Sequence, residues 1–291
     1  MDKQRAIAIF LAVIMVGSIV PMFFSGSSNN ATNTNDANGT ASEAPSIDSM
    51  QGKHINHALN SIADGLAMSP EGITSAQYVD FAKVNTSQLQ MFEPLPTEML
   101  TLYNVWVTTQ FTAFSKNIAE DSDAVFEMHT INPKVVNFPY IASTEPYKGY
   151  YFLSRGNNYS NVVGSPMLLG SEKRLKEVID VISGDAAGSH DFDYLLSKTE
   201  PGAEIQMVSS DNKLAADQYY LEFKYLENES YARTTVYLNL NQSVLTKIDS
   251  LAENSSSRGL DYDIVKDNNI TKVVVKSNGS NLINLAFEPY S

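Results

Sequence analysis

The amino-acid sequence predicts an α+β domain, built of antiparallel β-meander sheets with helices packed on one face and preceded by one N-terminal transmembrane helix. Three observations predict this class. An uncharged apolar run lies near the start of the chain, strands followed by a polar cap and an amphipathic helix recur along it, and β-branched and aromatic runs near its end are joined by short polar turns. Together they indicate a membrane anchor followed by a folded domain.

The apolar run extends from Ala6 to Phe24, 19 residues without a charge. At about 1.5 Å of rise per residue, a helix of this length roughly matches the hydrocarbon core of a bilayer. A cleaved secretory signal is one alternative, although the run is longer than most signal cores. A pilin-like leader cut between Arg5 and Ala6 is another. In all three interpretations Lys3 and Arg5 stay in the cytoplasm and the rest of the chain is exported.

Composition divides the chain behind this run. A stretch rich in Ser, Asn, Thr and Gly has little to bury and is predicted to be a flexible polar linker. The predicted segments are a cytoplasmic stub at 1–5, the anchor at 6–24, the linker at 25–53 and an extracytoplasmic domain at 54–291, with possible halves at 54–199 and 200–291.

The predicted domain opens with an amphipathic helix from His54 to Ala67. Its apolar residues Ile55, Leu59, Ile62 and Leu66 recur at helical spacing.

A strand, a polar cap and a helix follow one another three times, which suggests a duplicated unit. The helix of the second unit is predicted to end at Gly184. The three predicted strands are 78–84, 166–170 and 236–240, and their helix caps are Asn85, Ser171 and Asn241.

The C-terminal third is predicted to be mainly β-hairpins. Asn278-Gly279 favours a type I′ turn, which requires positive φ, and leads into a predicted last strand. The predicted strands are Gln218 to Leu226, Tyr231 to Leu240, Tyr262 to Lys266, Thr271 to Ser277 and Leu282 to Phe287.

The segment from Thr97 to Ala119 fits two structures. Met99, Tyr103, Trp106 and Gln110 have helical spacing, whereas the run Val-Trp-Val-Thr-Thr at 105–109 fits a strand. The helix is the favoured interpretation.

Composition bounds the function. The chain contains no cysteine, which excludes disulfides, thiolate zinc sites and a cysteine nucleophile. Its net charge of −13 disfavours nucleic acid and anionic lipid headgroups as partners. The composition therefore agrees with an exported domain, and a prokaryotic cell surface is the favoured setting.

N-glycosylation sequons are about twice as frequent as the composition predicts, which is expected of an exported chain in a host that glycosylates its surface proteins. An Asn- and Ser-rich sequence without modification is the alternative. The nine candidate asparagines are Asn30, Asn38, Asn85, Asn158, Asn228, Asn241, Asn254, Asn269 and Asn278.

Two stretches resemble an uncharacterised family of membrane-anchored extracytoplasmic proteins of bacteria and archaea. Gly164 to Val208 has that family's order of a strand, a helix ending in glycine, a short helix and a further strand. Met68 to Asn85 is similar to the way such domains begin their first strand. The resemblance implies a surface location and a β-rich repeated fold, and it implies no activity.

Residues that could carry chemistry are few. His54 and His57 are spaced to share a metal ion on one helix face, but no third ligand is evident, so solvated histidines are the favoured interpretation and no cofactor is predicted. In Gly188 to Asp193, an imidazole lies among carboxylates, where Ser189 or Asp191 is predicted to cap a short helix. No dinucleotide, P-loop or zincin motif is present.

An aromatic cluster at Tyr147, Tyr150, Tyr151 and Phe152 could line a ligand groove, although such residues in strands more often form core and cross-strand pairs.

These observations favour a non-enzymatic surface protein that binds an unknown protein partner and is attached to the membrane through Ala6 to Phe24. A carrier for an apolar small molecule is the first alternative, and a pilin-like filament subunit is the second. An enzyme would have to assemble its site from dispersed Asp, Glu, His or Ser residues.

Overall fold

The computed structural model describes residues 44–84, 102–115, 124–210, 216–226 and 229–289. The strands are β1 (Ile55–Asn56), β2 (Ile73–Asp80), β3 (Trp106–Ser115), β4 (Val125–Asn132), β5 (Ile141–Ala142), β6 (Phe152–Gly156), β7 (Tyr159–Val162), β8 (Gly164–Ser165), β9 (Met167–Gly170), β10 (Ile205–Ser209), β11 (Gln218–Leu226), β12 (Ser230–Leu238), β13 (Asp261–Asp267) and β14 (Ile270–Asn278). The α-helices are α1 (Ile62–Ala67), α2 (Glu172–Ile182), α3 (Asp193–Leu196), α4 (Gln242–Glu253) and α5 (Leu282–Phe287).

A 12-stranded sheet organises these elements, in the order β13-β14-β12-β11-β10-β2-β3-β4-β9-β7-β6-β5. All of its strand pairs are antiparallel, which confirms the predicted α+β class with antiparallel meanders. Strands β1 and β8 form a separate two-residue parallel pair.

Two three-stranded meanders meet at the centre of the sheet, where β2 pairs with β10. The first runs β2-β3-β4 after α1, and the second runs β10-β11-β12 after α3. The suggested duplicated unit and the division at residues 199 and 200 remain predictions.

One face of the sheet carries the first core, which α1, α2 and α3 cover. Ile62 and Leu66 of α1 pack there, together with Val178 of α2 and Leu195 of α3. Strand residues such as Phe111, Phe126, Met128, Val208, Tyr220 and Val236 complete it.

The opposite face carries two further cores. The second core includes Leu102, Tyr103, Val136, Phe138 and Met167, and the third includes Tyr219, Tyr237, Val244, Ile248 and Leu285. Helices α4 and α5 belong to the third core, so the prediction that the helices pack on one face is wrong. Successive strand residues point to opposite faces of a sheet. The apolar faces of α4 and α5 pack on the strand residues of the face that α1, α2 and α3 do not cover.

The second and third predicted units are confirmed from strand to helix. Ser171 caps α2 by accepting from Arg174 N at 3.3 Å, and Gly184 follows the helix with φ of 78°. Asn241 caps α4 by accepting from Ser243 N at 2.9 Å. The first predicted cap, Asn85, lies outside the described residues.

The predicted first helix is wrong in its first half. Ile55 pairs with Gly164 in the parallel β1–β8 ladder, and a Cβ on Gly164 would lie 2.3 Å from Ile55 N. This contact joins residues more than 100 positions apart, so local spacing does not reveal it. The helix starts only after Ser61, whose side chain accepts from Asp64 N at 3.2 Å.

The favoured helix around Trp106 is also wrong, because residues 106–115 form the central strand β3. Phe111 faces the first core and Val107 faces the second, so pairing with β2 and β4 overrides the helical spacing. Residues 97–101 and 116–119 lie outside the described residues.

The predicted last strand is the helix α5. Asn278 has φ of −78°, so no type I′ turn forms there. Leu282, Leu285 and Ala286 are buried at helical spacing, and Leu282 and Leu285 belong to the third core. The two other predicted hairpins, β11–β12 and β13–β14, are confirmed.

The packed structure includes residues before position 54, where the domain was predicted to begin. Ile47 is buried in the second core, and its N–H donates to Lys134 O at 3.0 Å. Within the described part of the chain, no helix is long and apolar enough to cross a membrane. The predicted anchor, Ala6 to Phe24, lies outside that part.

Candidate functional site

The candidate site is a cluster of buried polar side chains beneath the second core. It begins on β4, where Glu127 and His129 share a face because they are two residues apart in a strand. Glu127 is 2% exposed and His129 is 0% exposed. Phe126 and Met128 point to the first core, so both faces of this strand are covered.

Tyr103 connects this pair to the segment that covers it. The residue precedes β3, is completely buried, and places its Oη 2.8 Å from His129 Nδ1. The two rings meet edge to face, with centroids 5.4 Å apart. The centroid of the Tyr103 ring also lies 5.5 Å from that of Phe138. The ring therefore packs in the apolar second core, while its hydroxyl contacts the histidine.

Asn161 and Arg155 extend the cluster across β7 and β6. Asn161 Nδ2 donates to Tyr103 Oη at 3.3 Å and to Leu168 O at 2.8 Å. Arg155 donates to Asn161 Oδ1 at 3.2 Å and to Leu102 O at 2.9 Å. Hydrogen bonds therefore connect the half-buried guanidinium to the buried imidazole.

The two ring nitrogens of His129 face different neighbours. Tyr103 Oη accepts from Asn161 Nδ2 and lies 2.8 Å from His129 Nδ1, where the tautomer of the imidazole determines which of the two groups donates. His129 Nε2 lies 3.1 Å from Glu127 Oε2, within ion-pair distance, but the approach is not aligned for a hydrogen bond.

Burial controls the electrostatics of the cluster. It raises the pKa of the Tyr103 phenol well above the usual 10.0, and the nearby Arg155 guanidinium opposes part of this shift. Burial lowers the pKa of Arg155 itself. Tyr103 therefore remains a neutral phenol over the range of pH in which proteins function.

Glutamate, histidine and tyrosine are residue types that serve in general acid–base catalysis, but such a group must contact its substrate. In this conformation Glu127, His129, Tyr103 and Asn161 are each at most 2% exposed. The arrangement orients a buried imidazole and fixes residues 102–103 on the sheet. It holds no position from which a substrate could be reached.

The cluster was not predicted from the sequence. Val125, Glu127 and His129 alternate with Phe126 and Met128, a pattern typical of a strand with one face in solvent. The second face is buried by two segments outside the sheet, 102–105 and 133–138, and the sequence does not indicate that they pack on β4. An imidazole and a carboxylate two apart within an apolar strand are the only local signal for the site.

The two candidate metal ligands are not placed on one helix face. They flank β1, where the chain is extended, so a spacing of three puts them on opposite sides. His54 Nε2 lies 3.0 Å from Met50 O, and His57 is exposed. Over the described ranges, no group of three or more His, Asp or Glu could hold a metal ion.

The segment Gly188 to Asp193 does not form the predicted cap. Helix α3 starts after Phe192 without a side-chain cap, and Ser189 is buried with no hydrogen-bond partner for its Oγ. His190 Nδ1 lies 2.9 Å from Asp193 Oδ2 on the surface. Ser189 is fixed by its backbone, which donates to Ser69 O at 2.9 Å.

The aromatic cluster packs against the domain. Tyr150 and Phe152 are buried in the first core, and Tyr147 packs against it. Tyr147 Oη donates to Asp180 Oδ1 at 2.8 Å, and Lys148 binds Asp180 as well as Asp185. These contacts fix the turn at 147–150 to the C-terminal end of α2.

Five of the predicted sequons lie in the described ranges, and the asparagine of each is exposed. They occupy turns and helix ends: Asn158 between β6 and β7, Asn241 and Asn254 at the two ends of α4, Asn269 between β13 and β14, and Asn278 at the end of β14. Asn30, Asn38, Asn85 and Asn228 lie outside the described residues.

Comparison with known proteins gives one family match. Residues 58–183 match the model of the AF_2048_N family, described as a family N-terminal domain. The match covers less than half of the chain, from shortly before α1 to the end of α2. It agrees with the predicted similarity to an uncharacterised family, while the membrane anchor expected of that family stays a prediction.

No curated protein matches the chain. Among solved structures, TP0453 in its crystal form I is similar over 78% of this chain and 97% of that chain, with 10% sequence identity and a TM-score of 0.46.

Proposed function

We propose that this chain is a membrane-anchored, N-glycosylated domain that faces the outside of the cell and binds a protein partner there without catalysing a reaction. The observation that carries the proposal is the placement of the described sequons. All five asparagines are exposed, in turns and at the ends of helices and strands. Sugars attached there would project into solvent without disturbing a core.

Burial of the cluster supports a structural role for Glu127, His129 and Tyr103, whose residue types could otherwise serve in acid–base catalysis. Hydrogen bonds among Tyr103, His129 and Asn161 hold the cover of the second core on the sheet. Buried hydrogen bonds of this kind favour one packing arrangement over others.

The edge of the described sheet at β5 is the surface we propose for the protein partner. Ile141 is 78% exposed there, and the adjacent Tyr140 is 37% exposed. The centroid of the Tyr140 ring lies 6.1 Å from that of Phe138, so Tyr140 packs on a residue of the second core. An edge strand also offers backbone groups for pairing with an extended segment.

Fractionation and protease treatment of intact cells test the location. We expect the full chain in the membrane fraction, and we expect added protease to remove its domain before the cells are opened. Recovery from the cytosol, or digestion only after lysis, would contradict the proposal.

Photo-crosslinking tests the binding surface. A crosslinker at Ile141 should capture one defined partner in intact cells. The control position is Val265, which is 52% exposed on β13 at the other edge of the sheet. Equal capture from both positions would show that β5 is not the specific surface.

A further inference from the structure

The five described sequons differ in how exposed their third residue is, the serine or threonine that supplies the hydroxyl. Ser243, Ser256 and Ser280 are exposed, like the asparagines two positions before them. Ser160 is 3% exposed and Thr271 is 8% exposed. Folding therefore leaves three sequons exposed at both ends and buries the hydroxyl-bearing residue of the other two.

The two buried hydroxyls lie within paired strands. Ser160 of β7 is paired with both Ser154 and Gly170. Thr271 of β14 is paired with Tyr237 on one side and Lys266 on the other. A transferase that must bind the asparagine and the hydroxyl together would have to open these ladders, and strands paired on both sides are among the last parts of a domain to open.

The accessible sequons are already arranged at the surface. Asn241 Oδ1 accepts from Ser243 Oγ at 3.0 Å, and Asn278 Oδ1 accepts from Ser280 Oγ at 2.7 Å. In both, the asparagine uses its carbonyl oxygen and not the amide nitrogen that would receive a sugar. In the third, Asn254 Nδ2 donates to Ser250 O at 3.5 Å, which is at the limit for a hydrogen bond.

We propose that, among the described sequons, Asn241, Asn254 and Asn278 receive N-linked glycans on the folded domain and Asn158 and Asn269 do not. This inference rests on the proposed export of the chain. In the transfer, the asparagine Nδ2 forms a bond to the anomeric carbon of a glycosyl phosphate donor, and the bond from that carbon to the phosphate oxygen breaks. The nitrogen loses one proton and the released phosphate accepts one, so the reaction needs no oxidant or reductant.

The three sites lie together on the C-terminal unit. Asn241 and Asn254 flank α4, whose 12 residues span about 18 Å at 1.5 Å per residue. Asn278 ends β14, just before α5. The glycans would cover the helices of the third core, and the described sequon within the family match, Asn158, would stay unmodified.

Glycopeptide mass spectrometry of the full chain, purified from membranes of its native host, tests this assignment. We expect glycans at Asn241, Asn254 and Asn278 and unmodified peptides at Asn158 and Asn269. Ser243→Ala, Ser256→Ala and Ser280→Ala should each remove one glycan, since each deletes only an exposed hydroxyl.

The choice of substitution separates the loss of a glycan from misfolding of the domain. Ser243→Ala retains the Asn241 side chain that caps α4, whereas Asn241→Gln would remove the cap as well. Gln242→Ala changes the middle position of the same sequon and should keep the glycan.

The outcomes separate this inference from the proposed function. Glycans at Asn158 or Asn269 at the same occupancy as the other three would overturn the inference and leave export intact. An unglycosylated chain that protease removes from intact cells would overturn the inference and the glycosylation in the proposed function, and would leave export intact. An unglycosylated chain that is protected until lysis would overturn both.

Discussion

Tyr103→Phe should destabilise the domain, because it deletes one oxygen from the centre of the buried cluster. The hydroxyl lies 2.8 Å from His129 Nδ1 and accepts from Asn161 Nδ2 at 3.3 Å. The phenylalanine ring keeps the contacts with Phe138 and fills the same space. The substitution therefore isolates the two hydrogen bonds from the packing.

The magnitude follows from what each former partner retains. Asn161 Nδ2 keeps its bond to Leu168 O at 2.8 Å, so its loss is small. His129 Nδ1 is completely buried and is left without a partner. A buried polar group without a hydrogen bond costs about 1–3 kcal/mol, so we expect the free energy of unfolding to fall by about 2 kcal/mol.

Urea unfolding of the full chain, followed by far-ultraviolet circular dichroism, measures this difference. Tyr151→Phe is the matched control, because it deletes a hydroxyl that accepts from Gln51 Nε2 at 2.9 Å at an exposed site. We expect the control to stay within about 0.5 kcal/mol of the wild type. Equal effects of the two substitutions would refute the structural role of the cluster.

Three further substitutions test other parts of the fold. Gly65→Ala should lower stability by about 2 kcal/mol in the same unfolding assay, because its Cβ would lie 2.2 Å from the buried Phe111 ring. Glu288→Gln should cost about 2 kcal/mol by thermal unfolding, since the buried carboxylate accepts two hydrogen bonds from Arg258. Asp180→Asn should flatten the loss of stability in acid: hydrogen bonds from Lys148 and Tyr147 lower the Asp180 pKa below 3.8, so the wild-type contribution is present above that pH and is lost as the pH falls further.

Each of these has its own control. Phe111→Leu should recover part of the loss caused by Gly65→Ala, and additive effects would contradict the proposed clash. Glu71→Gln, at an exposed position, should leave the melting temperature unchanged. Asp249→Asn removes an exposed ion pair with Lys266 at 3.3 Å, and an equal change of the acid profile would show that Asp180 has no special role.

The elements that were predicted correctly have signals within about 20 residues. Ser171 and Asn241 cap helices whose apolar faces are regular, and the hairpins β11–β12 and β13–β14 join neighbouring runs through short turns. Caps and short turns depend on the residues next to them, so one sequence contains the information.

The errors arise where distant parts of the chain decide the structure. Ile55 is extended because it pairs with Gly164, and residues 106–115 form a strand because β2 and β4 flank them. His129 is buried because Tyr103 and the segment around Phe138 cover it. None of these partners can be identified from local periodicity, which explains why the candidate site was missed.

Cysteine labelling in intact cells tests the proposed surface location most directly. Because the native sequence contains no cysteine, a single introduced thiol is the only target for a membrane-impermeant maleimide. Lys173→Cys, at an exposed position of α2, should be labelled in intact cells, whereas Lys3→Cys should be labelled only after permeabilisation. Protection of residue 173 until the cells are opened, or labelling of residue 3 from outside, would contradict the proposed orientation.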